Sequence, residues 1–219
     1  MDRRFFIGAS ALALVAGGSY WMSQSKPQSD LLPGAANAQE ATGPIEIQDI
    51  VLGSADAPVE IIEYASFTCP HCANFHANQF KDLQREYIDT GKVRFIFREV
   101  YFDRPGLWAS MVARCGGEMR FHGIVELLME KQGEWARAES AAAIVEQLRT
   151  IGKTAGLTDD ALDACMQDAG MAQSLVNWYE DNAARDQVTS TPTLFINGEK
   201  HPNMSFSDMA VIIDGLIDA

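Results

Sequence analysis

The spacing of apolar and polar positions changes several times between residues 44 and 219. Residues 58–67 are rich in β-branched and aromatic side chains and predict a strand. Apolar residues then recur at helical spacing and predict a helix from about residue 70 to residue 89. Alternating residues predict a second long strand at 92–100. A strand, a helix and a strand over about 40 residues make a βαβ unit with two parallel strands and a right-handed crossover.

The following stretch carries a different signal. Arg104-Pro105-Gly106 predicts a break in the chain. No strand is predicted from there to about residue 187. This stretch is expected to contain helical segments at roughly 107–119, 121–132, 138–155, 159–167 and 169–187. Strand signal returns at 193–196, ahead of an Asn197-Gly198 turn. A final helix is expected at 206–218 and a short early strand at Ile45–Ile47. The order predicts an α/β fold with a helical insertion.

The first 40 residues form a separate kind of sequence. Arg3-Arg4 precede an apolar stretch, and Ala36-Asn37-Ala38 follows after a polar linker. These are the parts of a secretory signal peptide, and the arginine pair also has the outline of a twin-arginine signal. The alternative is an inner-membrane anchor that is retained, with residues 23–43 as a tether. We expect residues 1–38 to be an export signal cleaved near Ala38, which places the remaining chain in the periplasm.

The charge balance restricts the choice of partner. The chain has 17 Lys and Arg residues against 30 Asp and Glu residues, a formal net charge of −13. Nucleic acids and anionic membranes bind to basic surfaces. This balance argues against nucleic acid as a partner.

The strongest chemical signal is Cys69-Pro70-His71-Cys72, at the junction of the first long strand and the helix. Cys69 is the predicted nucleophile, because the unpaired N–H groups and the dipole of a helix N-terminus lower a thiol pKa. Pro70 fits the first helical position, and His71 adds a charge or a donor. Cys72, one turn further on, is the predicted resolving thiol. Half of a zinc site is the alternative, but no second ligand pair has suitable spacing. We expect a redox-active Cys69–Cys72 disulfide, no other cofactor and no metal.

Residues 62–72, the helical insertion and residues 191–198 together resemble the DsbA family of periplasmic thiol-disulfide oxidoreductases. The resemblance covers about residues 44–219. It implies a thioredoxin-like core in two parts, 39–104 and 188–219, with a helical subdomain inserted at 105–187. It also implies that Pro192 is a cis-proline facing the disulfide and that Thr191 offers backbone groups to an extended substrate. An ordinary strand start is the alternative for these two residues.

The family has an acid at the position of Glu63. Such an acid beneath the active site would have a raised pKa and could accept or relay the proton of Cys72. From its pattern alone, Glu63 is as well explained as a sheet residue facing solvent. Arg98 is the nearest candidate for the basic residue that often accompanies this acid in the family.

Cys115 and Cys165 lie on apolar faces of the predicted helical insertion. An even cysteine count in an oxidising compartment predicts a structural disulfide between them. Two unpaired core cysteines are the alternative. His76, His122 and His201 show no ligand spacing, and we expect them on the surface or on helix faces.

These features predict an exported oxidoreductase that donates the Cys69–Cys72 disulfide to folding proteins. Its implied partners are reduced exported proteins and a DsbB-like membrane protein that reoxidises it. A disulfide isomerase or reductase on the same core is one alternative. Isomerase relatives carry an N-terminal dimerisation domain, and the short distance between the export segment and the core favours a monomeric oxidase. A thiol-based metal carrier or chaperone module is the other alternative.

Overall fold

A five-stranded mixed sheet organises residues 45–219, which are the residues described by the computed structural model. The strands are β1 Val51–Leu52, β2 Val59–Ala65, β3 Val93–Glu99, β4 Thr193–Ile196 and β5 Glu199–Pro202. They lie side by side in the order β1-β3-β2-β4-β5. The pair β2 and β3 is parallel, and the other neighbouring pairs are antiparallel. The central strand β2 is buried along most of its length because helices cover both faces of the sheet.

The predicted βαβ unit is present. Helix α1 joins β2 to β3 through the consecutive segments Pro70–Phe75, His76–Phe80, Lys81–Leu83 and Gln84–Ile88, of which the second and fourth have π-helical hydrogen bonding. The connection to β3 passes through Gly91, whose φ of 75° is readily adopted only by glycine. The buried line of α1 faces the sheet and includes Cys72, Phe75, His76, Phe80, Leu83 and Tyr87.

The predicted helical insertion lies between β3 and β4. Its helices are α2 Arg104–Cys115, α3 Glu118–Glu130, α4 Gln132–Trp135, α5 Ala141–Thr154, α6 Asp159–Met166 and α7 Ala169–Arg185. The short helix α4 is fixed by Trp135, which is fully buried and donates its indole N–H to the Leu128 carbonyl oxygen at 2.8 Å. This anchor holds α4 beside α3 and next to the N-terminus of α1.

The C-terminal part is a hairpin followed by a helix, as predicted. Asn197 and Gly198 form the turn between β4 and β5, with φ values of 46° and 83°. The Asn197 side chain also accepts the Glu60 backbone N–H at 2.7 Å, which ties the hairpin to β2. Helix α8, Phe206–Ile217, begins at Ser205, whose hydroxyl accepts the Asp208 backbone N–H. The helix packs against α1 and β2.

Two predictions of local structure are wrong. Ile45–Ile47 is not a strand, because the Ile45 backbone N–H donates to the Ser174 hydroxyl on α7 at 3.0 Å instead of to a neighbouring strand. Arg104-Pro105-Gly106 does not break the chain but begins α2. The Asp103 carboxylate caps that helix by accepting the Gly106 backbone N–H at 2.8 Å, and proline is tolerated in a first helical turn.

The predicted export segment, its cleavage near Ala38 and the boundary of the region 1–38 lie outside the described residues. Residues 45–219 include no helix with both the length and the apolar character that a bilayer crossing requires.

Candidate active site

Cys69 and Cys72 lie at the N-terminus of α1. Cys69 is the residue before the helix, in extended conformation with φ −83° and ψ 116°, and Pro70 is the first helical residue. Both cysteines are free thiols in the structure. The exposed fraction of Cys69 is 8%, whereas Cys72 is fully buried. An incoming thiol or disulfide can therefore contact Cys69 but not Cys72.

The surroundings of Cys69 stabilise its thiolate. The pKa of Cys69 falls to about 5, chiefly because the Cys72 thiol hydrogen-bonds to its sulfur. Partial burial opposes this effect, while Thr191 and the backbone N–H groups of Cys72 and His71 lower the pKa further. The His71 side chain is exposed, so the donor that this residue supplies is its backbone N–H.

Thr191 lies directly beside the nucleophile. The Thr191–Pro192 peptide bond is cis, and the Cys69 sulfur lies 3.6 Å from the Thr191 carbonyl oxygen. The Thr191 hydroxyl is buried and has no hydrogen-bond partner. The structure thus places Thr191 and Pro192 next to the thiol, and their contact with a substrate stays a prediction.

Cys72 and Glu63 share the buried space between α1 and the sheet. Burial raises the pKa of the Cys72 thiol, and its hydrogen bond to Cys69 and the charge of Glu63 raise it further. Glu63 is fully buried on β2, two residues along from Ile61 and Ala65, on the face that α1 covers. Burial also raises the pKa of Glu63, against the opposing effect of His76. Glu63 therefore does not face solvent.

His76 lies on the buried face of α1, so of its two predicted positions, the surface or a helix face, it takes the second. Its Nε2 atom lies 2.8 Å from Glu63 Oε2, and its Nδ1 atom lies 2.6 Å from Glu126 Oε1 on α3. Burial disfavours the charged imidazole, but the two carboxylates outweigh this effect and raise the pKa of His76 to about 9. His76 follows Cys72 by four residues on the buried line of α1. That spacing places His76 on the same helix face as Cys72, but it does not by itself show that the face is buried.

Arg98 does not accompany Glu63. In the parallel register of β2 and β3, Arg98 pairs with Tyr64, so its side chain lies on the opposite face of the sheet. Its guanidinium binds the carboxylates of Asp49 and Asp186 there. The cationic partner of Glu63 is His76.

His122 is also buried, with an exposed fraction of 9%, and its Nε2 lies 2.9 Å from the Ile50 carbonyl oxygen. It takes the second of its two predicted positions, a helix face, and it is not on the surface because α3 packs against the segment before β1. His201, on β5, is partly exposed.

Gln132 is a further residue of the site, and no pattern in the sequence selects it. It is the first residue of α4, and its Nε2 group donates to the carbonyl oxygens of Phe67 at 2.8 Å and Cys69 at 2.9 Å. The two donors of one amide therefore attach the helical insertion to the loop that carries Cys69.

The chain matches the family model described as thioredoxin over residues 46–215. It belongs to the thioredoxin family. A protein of Rickettsia bellii that carries the name protein-disulfide oxidoreductase is 32% identical over 183 residues, which are 82% of this chain and 68% of that protein. Disulfide bond formation protein D of Bacillus subtilis is 27% identical over 164 residues, 72% of each chain. Across five Rickettsia relatives the match spans 64–68% of their length.

Solved structures identify the DsbA-like branch of the thioredoxin family. Wolbachia pipientis alpha-DsbA1 is 29% identical, with a TM-score of 0.73 over 81% of this chain and 94% of that chain. Bacillus subtilis BdbD is 22% identical, with a TM-score of 0.70, and shows the fold alone. The fold is the DsbA-like thioredoxin fold with its helical insertion, and the chain is a DsbA-like disulfide oxidoreductase.

The remaining two cysteines of this DsbA-like chain form a disulfide between α2 and α6. Cys115 and Cys165 have an S–S distance of 2.12 Å and a Cα–Cα distance of 5.9 Å. Among the described residues, no group of three or more His, Cys, Asp or Glu side chains is arranged to hold a metal ion. Proteins of the DsbA type use a redox-active disulfide as their redox group.

Proposed function

We propose that this protein is an exported dithiol oxidase, which donates the Cys69–Cys72 disulfide to pairs of thiols in folding proteins. The supporting observation is the set of donors around the Cys69 sulfur, which holds the pKa of this thiol at about 5. Because these donors stabilise the thiolate, they stabilise the reduced protein, and a stable reduced form makes the disulfide a strong oxidant.

The reaction begins when a substrate thiolate attacks the Cys69 sulfur of the oxidised protein. The Cys69–Cys72 bond breaks, and its electron pair goes to Cys72, which takes up a proton because a buried thiolate is unfavourable. A second substrate thiolate then attacks the substrate sulfur of the mixed disulfide and displaces the Cys69 thiolate. Two electrons pass from the substrate dithiol to the protein, and the substrate gains one disulfide.

Glu63 is the proposed proton donor and acceptor for Cys72. Its Oε1 atom is buried without a hydrogen-bond partner, while Oε2 contacts His76, so one carboxylate oxygen is available for this exchange. The raised pKa of Glu63 allows the carboxyl group to hold a proton closer to neutral pH than an exposed glutamate does. Thr191 and Pro192 are the proposed contacts of an extended substrate, because Thr191 borders the Cys69 sulfur.

The proposed setting is the periplasm, where a DsbB-like membrane protein would return the enzyme to its disulfide form. The substrates are reduced exported proteins, and the acidic charge balance gives no basis for nucleic acid as a partner. We propose that the enzyme acts as a monomer.

The test is a redox titration of residues 39–219 against glutathione, with thiol trapping to count reduced Cys69, together with oxidation of a reduced two-cysteine peptide. We expect a potential more oxidising than about −180 mV and stoichiometric oxidation of the peptide. Cys72→Ala is the control: it has no Cys69–Cys72 disulfide to donate, so it should leave the peptide reduced. A potential near about −270 mV, as in a reducing thioredoxin, contradicts the proposal. Efficient repair of a scrambled disulfide protein without net oxidation would indicate an isomerase.

A further inference from the structure

Three ionisable side chains form a continuous line from the buried active site to the protein surface. Glu63 on β2 is fully buried, His76 on α1 has an exposed fraction of 2%, and Glu126 on α3 has one of 32%. The two contacts between them, 2.8 Å and 2.6 Å, are within hydrogen-bonding distance. The line joins three different elements of the fold. The proposed exchange reaction uses Glu63 but neither His76 nor Glu126.

The geometry of this line requires a shared proton. Each imidazole nitrogen of His76 contacts a carboxyl oxygen, so a neutral ring, which has only one N–H, can satisfy both contacts only if one carboxyl group is protonated. A protonated ring satisfies both carboxylates. These arrangements have the same total charge and differ only in the position of one proton, which can lie on Glu63, His76 or Glu126 without movement of a heavy atom. A line of three such side chains can conduct protons.

The outer end of the line opens onto solvent. His76 and Glu126 both border a cleft of about 290 Å³ between α1 and the α3–α4 region, together with Ala73, Lys81, Met129 and Glu130. Glu126 is half-buried on this cleft, whereas Glu63 is enclosed by the sheet and α1. A proton that reaches Glu126 can therefore pass to water, and a proton on Glu63 has no equally direct exit.

We propose that His76 and Glu126 relay protons between the Cys72–Glu63 pair and the solvent of this cleft. The inference rests on the proposed role of Glu63 and extends it to two positioning residues that act through that carboxyl group. During reoxidation the reduced enzyme forms a mixed disulfide at Cys69, and Cys72 must lose its proton before it can attack the Cys69 sulfur. The relay provides the route by which this proton leaves.

The relay is balanced in charge and atoms. The Cys72 thiol gives its proton to Glu63 Oε1, and His76 gives its Nδ1 proton to Glu126, which releases it to water. One proton enters the line at Glu63 and one leaves at Glu126, so the line returns to its original total charge. The Cys72 thiolate then attacks the Cys69 sulfur and expels the thiolate of the oxidant. In the oxidising direction the same steps run in reverse and deliver a proton to Cys72.

Other ionisable groups lie near Glu63, His76 and Glu126 and therefore contribute to the pH dependence of disulfide closure. Glu63 is influenced by Cys69 in addition to His76 and Glu126. His122, on α3, interacts with both His76 and Glu126, and its own pKa is lowered by burial, which favours the neutral ring. Lys81 and Glu130 border the cleft and are exposed.

The test compares Glu126→Gln with Glu130→Gln. Both substitutions remove one carboxylate from α3 at the same cleft, but Glu130 is exposed and lies outside the line. Reduced enzyme is mixed with saturating oxidised glutathione, quenched with acid and analysed by mass spectrometry, which separates the Cys69 mixed disulfide from the closed Cys69–Cys72 disulfide. We expect Glu126→Gln to slow closure about tenfold, less than the roughly 100-fold contribution of a proton acceptor in direct contact with the reacting group, because Glu126 acts through His76 and Glu63. Glu130→Gln should change closure less than about twofold.

Two further readouts separate proton transfer from a structural effect. In Glu126→Gln, closure should acquire a larger solvent deuterium isotope effect and should accelerate with added formate or imidazole, which replace the missing acceptor. Glu130→Gln should show neither effect. His76→Gln should slow closure about 100-fold, because glutamine keeps a hydrogen bond to the carboxyl groups but cannot transfer a proton.

Equal closure rates in Glu126→Gln and Glu130→Gln, both without buffer dependence, would overturn the relay. The Glu126 and Glu130 pair decides the question even if His76→Gln fails to fold. The assay requires only exchange with glutathione, so a reducing potential in the redox titration would reject the oxidase proposal while the relay could still be supported.

Discussion

Replacing Gln132 with methionine removes two hydrogen bonds that attach the helical insertion to the catalytic loop. The Cys69 carbonyl oxygen still accepts the backbone N–H groups of Cys72 and Ala73, at 3.1 Å and 3.2 Å, so it remains satisfied. Most of the loss in stability therefore comes from the Phe67 carbonyl oxygen, because an unsatisfied buried acceptor costs about 1–3 kcal/mol. Gln132 borders the clefts on both sides of α4, so water can reach the site. We therefore expect a loss of about 1–2 kcal/mol in the free energy of unfolding.

The measurement is urea unfolding of the reduced enzyme, with Glu134→Gln as the control on the exposed face of α4. Gln132→Met should unfold at lower urea concentration than the control, with an unchanged denaturant slope. Gln132→Glu should unfold more easily still and should raise the pKa of Cys69, because its carboxylate would lie against two carbonyl oxygens and near the thiolate. If Gln132→Met matches the control in stability, the amide does not hold the loop and the reasoning is refuted.

Three other predictions concern the Cys115–Cys165 disulfide, the Arg114–Glu99 ion pair and the Cys69 thiolate. Replacing Cys115 and Cys165 with alanine should lower the free energy of unfolding by about 4 kcal/mol, as measured by urea denaturation, since the disulfide closes a 50-residue separation. Arg114→Met should cost about 3–5 kcal/mol in the same assay, because it leaves the fully buried Glu99 carboxylate without its cation. In the folded protein the pKa of Cys69 is lowered to about 5, from 9.0 for an ordinary thiol, so the Cys69 thiolate stabilises the folded reduced form. That stabilisation is complete above the unfolded pKa of 9.0 and is lost as the pH falls through 5. The stability of the reduced form relative to the oxidised form, compared by urea unfolding at pH 4, 6 and 8, should therefore increase with pH.

The sequence predicts the parts of this protein whose signals are local. The apolar run into Cys69, the alternation over 92–100 and the Asn197-Gly198 turn each specify an element through residues that are neighbours in the chain. The structure contains β2, α1, β3 and the β4–β5 hairpin at those places. The helical insertion follows from the same kind of periodicity.

The parts that the sequence misses depend on contacts between distant residues. Ile45 is not paired with a strand, because the Ser174 hydroxyl, 129 residues away, accepts its backbone N–H. His76 is buried because Glu63 and Glu126, 13 and 50 residues away, neutralise its charge. A histidine four residues after a buried cysteine is compatible with either a surface or a core position, and only the packing of α3 against α1 decides between them. Gln132 is similar, because its two acceptors are more than 60 residues away.

The proposed oxidant function depends on the stabilisation of the Cys69 thiolate in the reduced protein. The most direct test follows thiolate absorbance at 240 nm in the reduced enzyme as the pH is raised from 3 to 10, with Cys69→Ser as the blank. We predict a single transition with a midpoint near pH 5, assigned to Cys69 by its loss in the blank. A transition that begins only near pH 9, the ordinary value for a thiol, would contradict the account.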